Sequence, residues 1–148
     1  MSKNHKSSCY LEHNHHEHKC CCHHHGEDGE YGISSFVYYR RKPMSLNAFD
    51  HFVYKQWPKS VIRAKGIVYF SDNEIMSYLF EQAGTQKTLQ EAGQWICTAP
   101  EEEIEMMKRQ SPELRRDWDE KYGDKMVKIV FIGKQMDKEA ICKALDQV

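Results

Sequence analysis

Apolar side chains divide this sequence near Tyr31. In residues 1–30 the only ones besides cysteine are Met1, Tyr10 and Leu11. Such a segment cannot bury enough surface to offset the entropy of ordering it, so it is expected to be disordered when metal-free. From Tyr31 onward the pattern becomes periodic. "GISSFVYYRR" (Gly32–Arg41) is rich in β-branched and aromatic residues and predicts a strand that Pro43 breaks. Ser45 then predicts an N-cap for a helix in which Leu46, Phe49, Phe52, Val53 and Trp57 share one face, ending at Pro58. Val61–Phe70 predicts a second strand, with Gly66 as a bulge. After a turn at Asp72-Asn73, "MSYLFEQAG" and "TQKTLQEAG" predict two strands separated at Gly84, and "QWICT" (Gln94–Thr98) a further short one.

Thr98 or Pro100 is expected to open an acidic helix, "EEEIEMMKRQ", whose glutamates suit the positive end of the helix dipole. "KMVKIVFIG" (Lys125–Gly133) predicts a buried strand. Asp137 is expected to cap a last helix with Ala140, Ile141, Ala144 and Leu145 on one face. Adjacent strands joined by short turns imply an α+β fold: a mainly antiparallel sheet with helices packed on one face, plus the N-terminal arm. The expected domains are residues 1–30, a His/Cys-rich segment, and residues 31–148, the folded unit.

Composition changes this picture only by exclusion. Apolar residues are 40% and charged residues 29%, a globular balance. The net charge of −1 gives no electrostatic footprint for nucleic acid or an anionic membrane. No apolar run approaches the roughly 20 residues of a membrane span. The polar start, Met1 to Lys6, does not read as an export signal. Consecutive Cys20, Cys21 and Cys22 do not suit a disulfide framework, so a reduced, cytoplasmic protein is expected.

The chemistry is concentrated in the arm, which holds eight of the nine histidines. The candidate metal ligands are His13, His15, His16, His18, Cys20, Cys21, Cys22, His23, His24 and His25. Imidazole nitrogen with thiolate suits zinc best, and also cobalt, nickel or Cu(I). Zinc fingers hold two ligand pairs apart across a folded loop. Here the ligands are dense and redundant, so many four-ligand sets have similar energy and exchange should be easy. A solvated spacer is the bland alternative. In the folded part His51 reads as a helix-surface or core-edge residue, Cys97 and Cys142 as small buried hydrophobes. Arg63–Gly66 ("RAKG") reads either as a contact site for another domain or for a nucleotide, or as a strand with outward Arg63 and Lys65. No catalytic constellation is visible.

The words "YGISSFVY" (Tyr31–Tyr38), "RRKP" (Arg40–Pro43), "WPKSVIRAKGIVY" (Trp57–Tyr69), "QAG" (Gln82–Gly84), "AGQW" (Ala92–Trp95), "YGDK" (Tyr122–Lys125) and "IVFIGKQMD" (Ile129–Asp137) occur in this order. In them, Tyr31 to about Gln147 resembles the C-terminal domain of the CobW-type GTPases, a family named for cobalamin synthesis and containing zinc metallochaperones. The resemblance extends to the leader, because a histidine-rich linker often joins the two domains of that family. It implies a CobW-type GTPase domain, in the same or a separate chain, and a metalloprotein client as partners. The family's nucleotide site lies in the upstream domain. These 148 residues contain no G-x-x-x-x-G-K-[ST], so no bound nucleotide and no enzymatic activity are expected of them alone. The function expected is that of an accessory metallochaperone domain with a labile zinc-binding arm. The alternative is a protein-interaction module whose spacer binds metal incidentally.

Overall fold

The computed structural model describes residues 32–148. Five strands, β1 (Ile33–Arg40), β2 (Val61–Phe70), β3 (Asn73–Ala83), β4 (Gln86–Gln94) and β5 (Val127–Lys134), form one sheet in the order β1-β5-β2-β3-β4. Every neighbouring pair is antiparallel. Strand β5 comes late in the chain yet lies between β1 and β2, so β1 and β2 are parallel and α1 (Leu46–Lys55) is the crossover between them. Helices α2 (Glu101–Gln110) and α3 (Pro112–Asp117) follow β4, and α4 (Lys138–Asp146) follows β5. The expected α+β class is the one observed.

Local chemistry sets the helix ends. The Ser45 hydroxyl accepts from the Ala48 amide and starts α1, and the Asp137 carboxylate accepts from the Ala140 amide and starts α4. Phe49, Phe52 and Val53 of α1, with Ile141, Cys142 and Leu145 of α4, are buried. They join a core that includes Phe36, Phe70, Phe80 and Phe131. Phe36 stacks on Phe131 at 5.1 Å, and Phe49 meets Phe80 edge-on at 5.2 Å. Burying each such ring contributes about 2–3 kcal/mol.

The structure corrects four expectations. "QWICT" is not a strand: Ile96–Thr98 form a 3-10 turn, held by a carboxylate distant in sequence. Strand β5 is buried on one face only, with Val127, Ile129 and Phe131 inside but Val130 and Ile132 each 36% exposed. Ala140 lies on the exposed side of α4, where Cys142 is buried instead. Gly66 is not a bulge. It pairs in register with Phe80 and Ile129, and the irregularities in β2 fall between Val61 and Arg63 and between Val68 and Phe70. Its role is close approach: a Cβ there would lie 2.1 Å from the Lys128 carbonyl oxygen.

Arg40, the last residue of β1, ties that strand to α4, and Arg41 after it binds residues 117–125. The Arg40 guanidinium donates to the carbonyls of Pro43 (2.7 Å), Leu145 (3.0 Å) and Lys42 (3.0 Å). Beside it the buried Tyr38 hydroxyl donates to the Asp146 carboxylate at 2.7 Å, so β1 and α4 are tied from both sides. Arg40→Ala is expected to cost about 2–3 kcal/mol, because three hydrogen bonds from a charged donor are lost. Arg40→Lys should recover only part, since one ammonium cannot span three carbonyls in a fork. Denaturant midpoints of the two variants check this, and equal loss in both would overturn the fork argument.

Candidate interaction surface

The ten candidate ligands, His13 through His25, lie outside the described residues, as does the expectation of disorder for residues 1–30. Among the described residues no group of three or more His, Cys, Asp or Glu side chains could hold a metal ion. His51 is exposed on α1 and Cys142 is buried, as expected for both. Burial, and next the Asp124 carboxylate, push the Cys97 thiol upward, which keeps it protonated at neutral pH and unsuited to nucleophilic work. A groove between α1 and β4, lined by Phe49, Val53, Phe80 and Leu89 among others, encloses only about 60 Å³. Ligand clefts run roughly 300–1,000 Å³, so it is no nucleotide site.

What the fold does build is a surface. Helices α1 and α4 cover the face of the sheet formed by Phe36, Ala64, Phe80 and Phe131. Alternation turns the intervening residues to the other face. Its rows follow from the pairing register: Ser35–Ile132–Arg63, then Val37–Val130–Lys65–Glu81, then Tyr39–Lys128–Ile67–Leu79. Exposed Val130 and Ile132 and half-buried Val37, Ile67 and Leu79 are thus interspersed with Arg63, Lys65 and Lys128. Lys65 meets Glu81 at 3.5 Å, with both side chains substantially exposed. Such a pair contributes about 0–1 kcal/mol and does not explain the strand's composition. Of the two meanings open for "RAKG", the outward placement of Arg63 and Lys65 holds, and that same placement puts them on this surface. An exposed sheet face that mixes apolar and basic side chains is suited to contact with another protein.

One end of the sheet is closed by residues 95–126. Trp95 packs edge-on against Tyr69 at 5.5 Å. The two carboxylate oxygens of Asp124 accept from the Ile96 and Cys97 amides at 2.9 Å each, which is why "QWICT" coils. Gly123, at φ +67, leaves the space that Cys97 fills; a Cβ there would meet the Cys97 Cβ at 2.6 Å. The Arg41 guanidinium donates to the carbonyls of Asp117 (2.6 Å), Gly123 (2.8 Å) and Lys125 (3.1 Å). The words "RRKP", "AGQW" and "YGDK" are therefore the joints of the fold. The surface itself escaped the sequence analysis. Its one signal was that "KIVFIG" carries apolar residues at both parities, which reads equally as a strand buried on two faces.

The model of the cobalamin synthesis protein CobW C-terminal domain matches residues 33–148. A curated relative, the zinc-regulated GTPase metalloprotein activator 1 of Dictyostelium discoideum, is 30% identical over 106 residues, which is 70% of this chain and 22% of that protein. Two solved structures share the fold. A Zn(II)-bound triple mutant of the YjiA GTPase aligns with TM-score 0.53 at 16% identity, over 78% of this chain and 29% of that one. Zn(II)-bound YjiA from E. coli aligns with TM-score 0.50 at 18% identity over the same shares. The chain spans less than a third of each of these proteins.

Proposed function

The chain belongs to the CobW C-terminal domain family, and from that premise we propose that it is the accessory domain of a zinc metallochaperone. Residues 1–30 are its metal-collecting arm and residues 31–148 its docking unit. The arm binds zinc, or cobalt or nickel, labilely through the ten ligands His13 to His25. The face of the sheet away from α1 and α4 contacts a CobW-type GTPase domain, in the same or a separate chain, or the metalloprotein client. The relative's GTPase and zinc-regulated character supports this reading.

The observation that carries it is the junction of the two parts. Strand β1 begins at Ile33 on one edge of the sheet, and Ser35, Val37 and Tyr39 lie on the face away from α1 and α4. His25 is eight residues before Ile33 in the sequence, so the chain lets it reach at most about 27 Å from there. A zinc held at His25 stays within that radius of Ile33 and one held at His13, twenty residues before it, within about 70 Å, and tethering raises its local concentration without high affinity.

The test is to compare the full chain with residues 31–148. Zinc uptake in calorimetry should vanish with the arm, while the thermal midpoint of residues 31–148 should be the same with and without a strong chelator. Zinc uptake by the shortened chain, or a core that collapses in chelator, would overturn the assignment. GTP with magnesium should give a flat titration for either chain, since the sequence carries no G-x-x-x-x-G-K-[ST] to cradle phosphates. A micromolar dissociation constant would reveal a nucleotide site.

A further inference from the structure

Strand β4 (Gln86–Gln94) ends the sheet on the side away from β1, and among the described residues only β3 pairs with it. It runs nine residues without proline, and an edge of that kind presents unpaired N–H and C=O groups to any further strand. Its sequence, QKTLQEAGQ, says which strand fits. Two identical strands related by a two-fold axis pair antiparallel with one residue opposite itself. Centred on Leu89, the register sets Thr88 opposite Gln90, and Lys87 of each copy opposite Glu91 of the other. Centred one residue to either side, it sets Lys87 or Glu91 opposite Leu89 and matches no charge.

The side chains concerned lie on one face. Leu89 pairs with Phe80, which is buried beneath α1, so Lys87, Leu89 and Glu91 stand on the α1 side of β4. Next to them Leu46 and Tyr54 of α1 are 39% and 61% exposed, and Leu89 is 40% exposed. These three border the small groove between α1 and β4. The Lys87 ammonium lies over the Tyr54 and Trp57 rings at 5.6 and 5.7 Å, which holds it at the groove. Glu91 makes no ion pair among the described residues. The other edge, β1, offers no such match: its one charged residue, Arg40, is engaged by three carbonyls.

We propose that two copies of this chain pair β4 to β4 through residues 86–92, centred on Leu89, to make a continuous ten-stranded sheet. Two Lys87–Glu91 pairs flank the axis, and Leu89, Leu46 and Tyr54 of both copies close over it. The proposal stands independently of the metal-handling role.

Sedimentation equilibrium of the full chain, in chelator so that the arm cannot cross-link copies through zinc, should show a monomer–dimer equilibrium. Glu91→Lys turns two attractive cross-strand pairs into two repulsive ones and should raise the dimer dissociation constant by about tenfold or more. Combining Lys87→Glu with Glu91→Lys restores both attractions and should return the constant to within about threefold of the starting value. Unchanged melting curves show that the variants are folded. A monomer at the highest attainable concentration would overturn the proposal. So would a dimer indifferent to Glu91→Lys, a charge swap that fails to restore pairing, or a dimer that needs residues 1–30 and not this charge match.

Discussion

Replacing Cys20, Cys21 and Cys22 by serine is expected to weaken zinc binding by about tenfold or more while weaker imidazole binding persists, since thiolate is the stronger zinc ligand. Replacing His13, His15, His16, His18, His23, His24 and His25 as well should abolish it. The arm offers up to twelve nitrogen and sulfur donors when Cys9 and His5 are included. At four ligands per tetrahedral ion this caps the stoichiometry at about three, and neighbouring side chains are hard to use together, so about two is expected. Protons compete for every ligand: free histidine titrates near pH ~6.5 and free cysteine near ~8.5. Binding should therefore weaken steadily as the pH falls from about 8, and be largely lost near pH ~5. Titration against a competing zinc indicator reads affinity and stoichiometry together. One tight ion that resists both chelator and mild acid would sink the labile carrier and indicate a closed structural site.

Gly66→Val is expected to destabilise the folded domain by about 3 kcal/mol or more, lowering the thermal midpoint by roughly 10 °C. The reason is that the added atoms would meet backbone. A Cβ at residue 66 lies 2.1 Å from the Lys128 carbonyl oxygen and 2.5 Å from the Ile129 Cα, so β2 and β5 must move apart. A side chain could rotate away; the central strand of a sheet cannot. Lys65→Ala, one residue earlier on the same strand, removes only the exposed Glu81 pair and should change stability by about 1 kcal/mol or less. Thermal melts of the two variants make the comparison. A Gly66→Val midpoint no lower than that of Lys65→Ala would show that the strands yield more readily than their packing implies.

Most of the elements were legible because their signals are local. Ser45 and Asp137 supply cap oxygens three residues before the amides they receive. Gly84 separates β3 from β4, and the helical spacing of Phe49, Phe52 and Val53 names the buried face of α1. The missed features depend on long-range partners. Ile96–Thr98 coil because Asp124, 27 and 28 residues on, takes the Ile96 and Cys97 amides, and β-branched residues in isolation suggest the strand instead. Gly66 resembles a bulge until the backbone of β5 is seen against it.

The candidate site divides in the same way. The arm's chemistry belongs to the sequence, since imidazole and thiolate select their metals by donor type and need no fold to be recognised. The folded unit's surface belongs to the tertiary structure. Val130 and Ile132 look like core in the sequence, as do Val127, Ile129 and Phe131. Only the insertion of β5 between β1 and β2, with α1 and α4 covering a single face, leaves Val130 and Ile132 outside beside Arg63, Lys65 and Lys128. Side-chain periodicity determines that a strand has two faces. Which of them a helix covers is settled by contacts between segments far apart in the chain, and that choice leaves Val130 and Ile132 of an apolar strand exposed.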